Sequence, residues 1–182
     1  FEHVNVSNKD ITLAGGYDGT CTAAGTDPTR IEGSVGTGSA LVVNNGTVTL
    51  RDLALAWGSG AGGGLLAGSN ASVTLDHTTV HDNHGSYGGG IYVNTGSIVT
   101  LTDDSDVIHN TATIYGGGAR VWGTLVGTET LSDISDNCAP HGGGVSVNQG
   151  TLRLDGSDMD QNEAAAAIGM GGGIHAVAGE VV

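Results

Sequence analysis

A three-glycine run returns five times in this chain, beginning at Gly62, Gly88, Gly116, Gly142 and Gly171. Successive runs start 26, 28, 26 and 29 residues apart. A short alternating apolar segment follows each one: Leu65-Leu66-Ala67, Ile91-Tyr92-Val93, Ala119-Arg120-Val121, Val145-Ser146-Val147 and Ile174-His175-Ala176. A fixed period of this size marks a stack of similar units, none of which buries its apolar face alone. That constraint comes before any reading of chemistry, because it decides which residues share a column.

Each unit divides into three parts. In the segment after the glycines, Leu41, Leu65, Ile91, Ala119, Val145 and Ile174 form one inward column, and Val43, Ala67, Val93, Val121, Val147 and Ala176 a second. A polar turn follows at Asn44-Asn45-Gly46, Gly68-Ser69-Asn70, Asn94-Thr95-Gly96 and Asn148-Gln149-Gly150, built of residues that accept positive φ. The second segment reads Val48-Thr49-Leu50, Val73-Thr74-Leu75, Val99-Thr100-Leu101 and Leu152-Arg153-Leu154. The fifth unit is irregular here, and either Leu125 or Leu131 fits its slots. The third part ends on apolar-x-x-Asn: Val80 to Asn83, Val107 to Asn110, Ile134 to Asn137 and Met159 to Asn162. Stacked Asn side chains hydrogen-bond from unit to unit in place of backbone, so these four Asn residues are assigned a structural, turn-forming role.

Three short strands per unit and a period near 26 predict an all-β fold, a parallel β-helix (solenoid) of about seven coils. Right-handed winding follows from the crossover preference of parallel strands. No six-residue period supports a left-handed helix, and the calcium-binding nonapeptide pattern is missing. A single domain spans 1–182. Within it, 1–37 form irregular opening coils, with Val4, Val6, Ile11 and Leu13 inward and a polar loop over 15–30, while 38–182 are regular repeats.

Composition fits a solenoid better than a globule. Of 182 residues 34 are glycine, with one Phe and two Trp, so no core of large aromatics is available. Five basic residues against nineteen acidic ones give a formal net charge of −14, which leaves no basic patch to release counterions and excludes nucleic acid as a partner. No stretch reads as a membrane span. The chain starts on Phe1 and its last repeat stops at the start of a second strand, so it reads as a portion of something longer, with open coil ends for flanking domains or end-to-end association. Cys21 and Cys138 are about four coils apart, beyond disulfide reach at about 4.8 Å per coil.

The pairing of apolar-x-x-Asn with Gly-Gly-small-apolar, once per coil over 62–182, resembles the repeats of polymorphic outer membrane proteins and related autotransporter-like bacterial surface β-helices. Those repeats read Phe-x-x-Asn and Gly-Gly-Ala-Ile; here no copy has the Phe, and a third glycine stands where the family has Ala. The resemblance implies a secreted or cell-surface passenger-like module in the extracellular space or on the bacterial outer membrane, with an adhesive role.

Candidate chemistry lies on the outward columns. Asp106, Asp133 and Asp158 fall four residues before successive Asn residues, level with Thr79. Carboxylates one coil apart repel, so they call either for full solvation or for a hard cation such as Ca²⁺, which takes oxygen ligands. His81, Asp82, His84 and His109 form a weaker transition-metal or acid–base group. Tyr92, Arg120, Trp122 and His175 share the outward face of the post-glycine segment, a mix that stacks on sugars and hydrogen-bonds them. If the chain were enzymatic, Arg120, His175 and Tyr92 would carry the chemistry. Just before the glycines, Tyr87, Tyr115, His141 and Met170 align as a corner stack with a packing role. Thr47, Thr49, Ser72, Thr74, Thr100 and Thr151 make a partial threonine face, interrupted by Arg153 and Glu129 and lacking a regular two-column array.

The expected function is a surface β-helix repeat module with a structural, adhesive or glycan-binding role and no catalysis assigned. Two alternatives remain open: a carbohydrate-active enzyme (polysaccharide lyase or glycoside hydrolase) or another hydrolase such as an esterase, and, as a minor reading, an ice-binding threonine face.

Overall fold

Alternate residues of a strand point to opposite faces, and in this chain one face of nearly every strand is aliphatic. The computed structural model describes residues 3–17, 29–34, 36, 38–128, 132–165 and 167–182. It is an all-β solenoid of parallel sheets with about six turns and a period of about 26. No helix occurs among the described residues.

Each turn has four sides rather than the three expected. The first carries Val4–Ser7, Leu41–Asn44, Leu65–Ala67, Ile91–Val93, Ala119–Val121 and the opening parts of Val145–Leu154 and Ile174–Val181. The second carries Ile11–Ala14, Gly46–Arg51, Ala71–Asp76, Ile98–Thr102 and Thr124–Gly127, continued by the far halves of the two long strands. A third ladder joins Thr29–Glu32, Leu53–Ala56, Thr79–His81, Val107–Ile108 and Ile134–Ser135. The unexpected fourth ladder, Ser59–Gly60, His84–Tyr87, Thr111–Tyr115, Cys138–Ala139 and Glu163–Ala164, occupies the link between each Asn and the next glycines. Its strands lack aliphatic alternation, so sequence reading takes them for turn. The count falls short of seven because Ile174–Val181 supplies only the first two sides of a further turn.

The inward columns are as expected up to the last strand, where Ile174 is only partly buried and Ala176 is exposed. Leu41, Leu65, Ile91, Ala119 and Val145 are fully buried, as are Val43, Ala67, Val93, Val121 and Val147. Val4, Val6, Ile11 and Leu13 fall in register with Leu41, Val43, Val48 and Leu50. Fully burying one Leu or Val stabilises by about 1.5–3 kcal/mol, and here that burial exists only between turns. In the fifth turn Leu125 takes the inward slot beside Val99 and Leu152, and Gly127 stands where its neighbours have Leu101 and Leu154. Leu131, Glu129, Cys21 and most of the 15–30 loop lie outside the described residues.

Corners depend on the glycines and the Asn ladder. Gly88, Gly116, Gly142 and Gly171 have φ of 71°, 66°, 67° and 64°, a left-handed conformation that side chains disfavour. The third glycine of a run packs on the ladder: a Cβ on Gly118 would sit 2.9 Å from the amide nitrogen of Asn137 and 2.8 Å from the Gly144 carbonyl oxygen. Asn83, Asn110 and Asn137 are buried, and each passes its side-chain amide to the Oδ1 of the next Asn, 3.0 to 3.1 Å away, ending on Asn162. These four residues, expected from the sequence to form turns, carry the side-chain ladder at this corner.

Register also revises the threonine face. With Leu125 inward, Thr124 and Val126 point outward, and two continuous columns appear on the second side. Thr12, Thr49, Thr74, Thr100 and Val126 form one, and Thr47, Ser72, Ile98, Thr124 and Thr151 the other. Arg153 follows Val126 at one end.

Candidate functional site

On the first side, one outward column runs in register from Val42 through Leu66, Tyr92, Arg120 and Ser146 to His175. A second column, Tyr87, Tyr115, His141 and Met170, stands at the neighbouring corner, immediately before the positive-φ glycines. The sharp bend at those glycines folds the corner rings over the first side. Tyr87 and Tyr115 stack with centroids 6.3 Å apart, and Tyr115 and His175 with centroids 6.2 Å apart. His141 tilts between them, 5.1 Å from Tyr115 and 5.4 Å from His175.

Beneath these rings lies Arg120. Its guanidinium carbon sits 4.4 Å from the Tyr115 ring centroid and 5.4 Å from that of Trp122, leaving the residue 4% exposed. Cation–π attraction of this kind strengthens when the cation is desolvated. Nη1 donates to Ser146 Oγ, and Ser146 is itself fully buried. The Arg120 Nε and the His141 Nδ1 are buried without a partner, and no carboxylate pairs with the guanidinium among the described residues. Burial holds the Arg120 pKa below its ordinary value, against the pull of Tyr115, Tyr92 and Tyr87. The half-buried Tyr92 phenol is pushed up by burial, which the Arg120 charge opposes.

This arrangement corrects the expected sugar-stacking face in one respect. Tyr92, Arg120, Trp122 and His175 do come together, but Arg120 is sealed beneath Tyr115 and Trp122 instead of being displayed to solvent. Outward by alternation is not exposed when a corner ring leans across. Ser146 was not singled out from sequence; only its place one turn beyond Arg120 in the column signals it.

As chemistry the cluster is incomplete. Ser146 Oγ and His175 Nδ1 are 3.4 Å apart, at the outer edge of hydrogen bonding. Burial, then His141 and Arg120, hold the His175 imidazole below its usual pKa, so it is neutral at pH 7. A neutral His beside a Ser is the start of a nucleophilic pair, but among the described residues no carboxylate orients this imidazole, and the Ser oxygen has no solvent access. Nor does the site offer the two facing carboxylates a glycosidase uses.

The acidic column is tied down separately. Asp106 Oδ1 accepts the Asp133 backbone N–H at 3.1 Å, Asp133 Oδ2 accepts the Ser135 hydroxyl at 2.8 Å, and Asp133 pairs with Asp158 in a parallel bridge. No group of three or more His, Cys, Asp or Glu side chains suited to hold a metal ion occurs among the described residues, so Asp106, Asp133 and Asp158 are not gathered into an ion site. Burial, with the Asp133 and Asp104 charges, pushes the Asp106 pKa up to about 6, opposed by the Asp133 N–H.

The histidine group is likewise dispersed. His81 aligns with Ile108, not His109, and pairs with Asp82 at 2.8 Å, while His109 reaches Asp136 at 3.7 Å. Cys138 is a free thiol, its pKa raised by burial and by Glu163. No helix among the described residues is long and apolar enough to cross a membrane.

Comparison of the chain with protein-family models, with curated proteins and with solved structures finds no match.

Proposed function

We propose that the chain is a secreted or bacterial cell-surface β-solenoid module that binds glycan on its ring-lined corner and does no chemistry there. The observation that carries this reading is the run of rings Tyr87, Tyr115, His141 and His175 along the solenoid axis, with Tyr87 41% exposed at one end. The exposed Tyr87 ring gives a sugar an apolar platform at one end of the stack, while tyrosine hydroxyls and imidazole nitrogens along it supply polar contacts. Arg120 works from behind as a fixed cation that locks the rings in place. In a chain of net charge −14, this corner holds the Arg120 cation with no carboxylate paired to it among the described residues, which favours a neutral or acidic glycan over a basic ligand. Support for the surface location comes from the repeat resemblance.

Titration of the whole chain against a panel of neutral and uronate-containing oligosaccharides tests the reading. Expected are saturable binding, its loss in Tyr87→Ala, and an unchanged oligosaccharide after long incubation. Unsaturated products absorbing in the ultraviolet would favour a lyase instead, and absence of binding across the panel would remove the glycan role.

A further inference from the structure

The second side of the solenoid carries a different surface. Two of its three outward columns, between Thr12 and Val126, hold no charged residue and no aromatic ring; the third, Ala14, Arg51, Asp76 and Thr102, carries the Arg51–Asp76 ion pair along one border. Thr49, Thr74 and Thr100 succeed one another in consecutive turns, flanked by Thr47, Ser72 and Ile98. Neighbours within a column are about 4.8 Å apart, and neighbours along a strand about 6.7 Å apart. The result is a two-dimensional grid of hydroxyl and methyl groups, held rigid because β-branched side chains are stiff at χ1 and the backbone beneath them is laddered from turn to turn.

Thr78, Thr102 and Thr128, which border the grid, donate their hydroxyls to backbone carbonyls, Leu50 at 3.1 Å, Leu75 at 3.0 Å and Leu101 at 3.3 Å. The hydroxyls of Thr47, Thr49, Thr74 and Thr100 have no protein partner among the described residues. Ile98 stands in the same grid 46% exposed, with nothing covering it.

We propose that this face binds ice. Its hydroxyls take the place of water oxygens at repeated positions, and its methyl groups hold the intervening waters in the ordered shell that apolar surface favours. Each contact is weak, but a rigid array makes them simultaneously, with little ordering cost on the protein side. Charge argues in the same direction: the occupant of a neutral strip on a chain of net charge −14 is itself neutral. A crystalline polysaccharide would also be flat and neutral, but its recognition uses aromatic platforms, and this side has none. The proposal is independent of the glycan reading, which concerns the first side.

The test measures thermal hysteresis and ice recrystallisation in the whole chain, with circular dichroism confirming the fold of each variant. Faceted ice growth and a hysteresis gap are expected for the natural sequence. Thr74→Glu, which puts a charge at the centre of the grid, is expected to reduce the gap to the buffer level. Arg153→Thr, which lengthens one column, is expected to widen it. Glu163→Gln, on the fourth side, should leave it unchanged. A folded chain that leaves ice growth unaltered overturns the proposal. So does a folded Thr74→Glu chain that shapes ice as the natural one does, or retention on crystalline chitin or cellulose with no effect on ice.

Discussion

Oδ1 of Asn137 accepts two hydrogen bonds from Asn110, one from its backbone N–H at 2.9 Å and one from its side-chain amide at 3.1 Å. The same amide also donates to the Val80 carbonyl at 2.8 Å, and Asn110 Oδ1 receives the matching pair from Asn83. Each Asn thus closes the backbone at one corner and accepts the closure of the previous one. Asn110→Ala strands the backbone N–H of Asn83 and the Val80 carbonyl in a dry interior and leaves the Asn83 amide only its bond to the Leu55 carbonyl. Unsatisfied buried groups cost about 1–3 kcal/mol each, and after partial relaxation the whole change is expected to destabilise by about 3 kcal/mol. Urea denaturation followed by circular dichroism measures it. Asn110→Asp is expected to be at least as harmful, because a carboxylate at this position faces the Val80 carbonyl with no hydrogen to donate.

The glycine runs yield a position-specific prediction. Gly118→Ala drives a methyl against Asn137 Nδ2 and the Gly144 carbonyl oxygen, both under 3.0 Å and both held by ladders, so it should destabilise. Gly173 holds the same place in the last run, yet a Cβ there meets nothing within 4 Å and its φ is not in the left-handed region. Gly173→Ala is expected to be neutral or to stabilise by about 0.4–1 kcal/mol through the unfolded chain. Parallel melting curves of the two variants decide it; equal losses would mean that the runs act through backbone conformation rather than close approach.

The stack was legible because its determinants are local and repeated. Val80 to Asn83 with Gly88 to Ile91 is enough to define a corner, and its recurrence defines the column. Reading failed where a turn breaks the pattern: Gly127 stands in a column of Leu50, Leu75 and Leu101, and without that Leu the slot of Leu125 was ambiguous. Resolving it turned a broken threonine patch into two in-register columns. The burial of Arg120 is hidden from the sequence for a different reason. Alternation gives the direction of a side chain but not what leans over it, and Tyr115 reaches across only because Gly116 bends the chain between them.

Arg120 is a buried cation without an anion among the described residues, and this makes an unusual substitution series. Arg120→Met keeps a long flexible side chain between Tyr115 and Trp122 and removes the desolvated charge. Replacing a buried charge by an apolar group of similar volume is often neutral or stabilising, so its cost should stay below about 1 kcal/mol. Arg120→Lys keeps the charge but loses the planar stacking and the fork of donors, and should cost more, about 1–3 kcal/mol. Ser146→Ala removes an acceptor from a guanidinium whose Nε already has none and falls in the same range. Thermal unfolding orders the three. Lys retaining more stability than Met would show that charge, not packing, holds the corner.

Two carboxylates give pH dependences of opposite sign. Burial alone would raise the Asp76 pKa, but hydrogen bonds from His77 at 2.8 Å and Arg51 at 2.7 Å outweigh it and hold the group below its ordinary value. Its contribution is present above the unfolded pKa and is lost as pH falls through the folded one. Asp106 behaves in the reverse sense: its folded value of about 6 lies above the ordinary 3.8, so the native state binds the proton more tightly. Stability therefore declines as pH rises from about 4 through about 6, and above that the full penalty of an ionised, half-buried carboxylate remains. Asp106→Asn keeps the oxygen that accepts the Asp133 N–H and removes the charge. It is expected to stabilise by about 1 kcal/mol at pH 8, a figure reduced for solvent screening at a half-exposed site, and to have no effect near pH 3, where both states of the natural protein are protonated. Denaturation midpoints of the two proteins across pH 3–8 check this; curves that stay parallel over the whole range would show that Asp106 ionises as freely in the fold as in the unfolded chain.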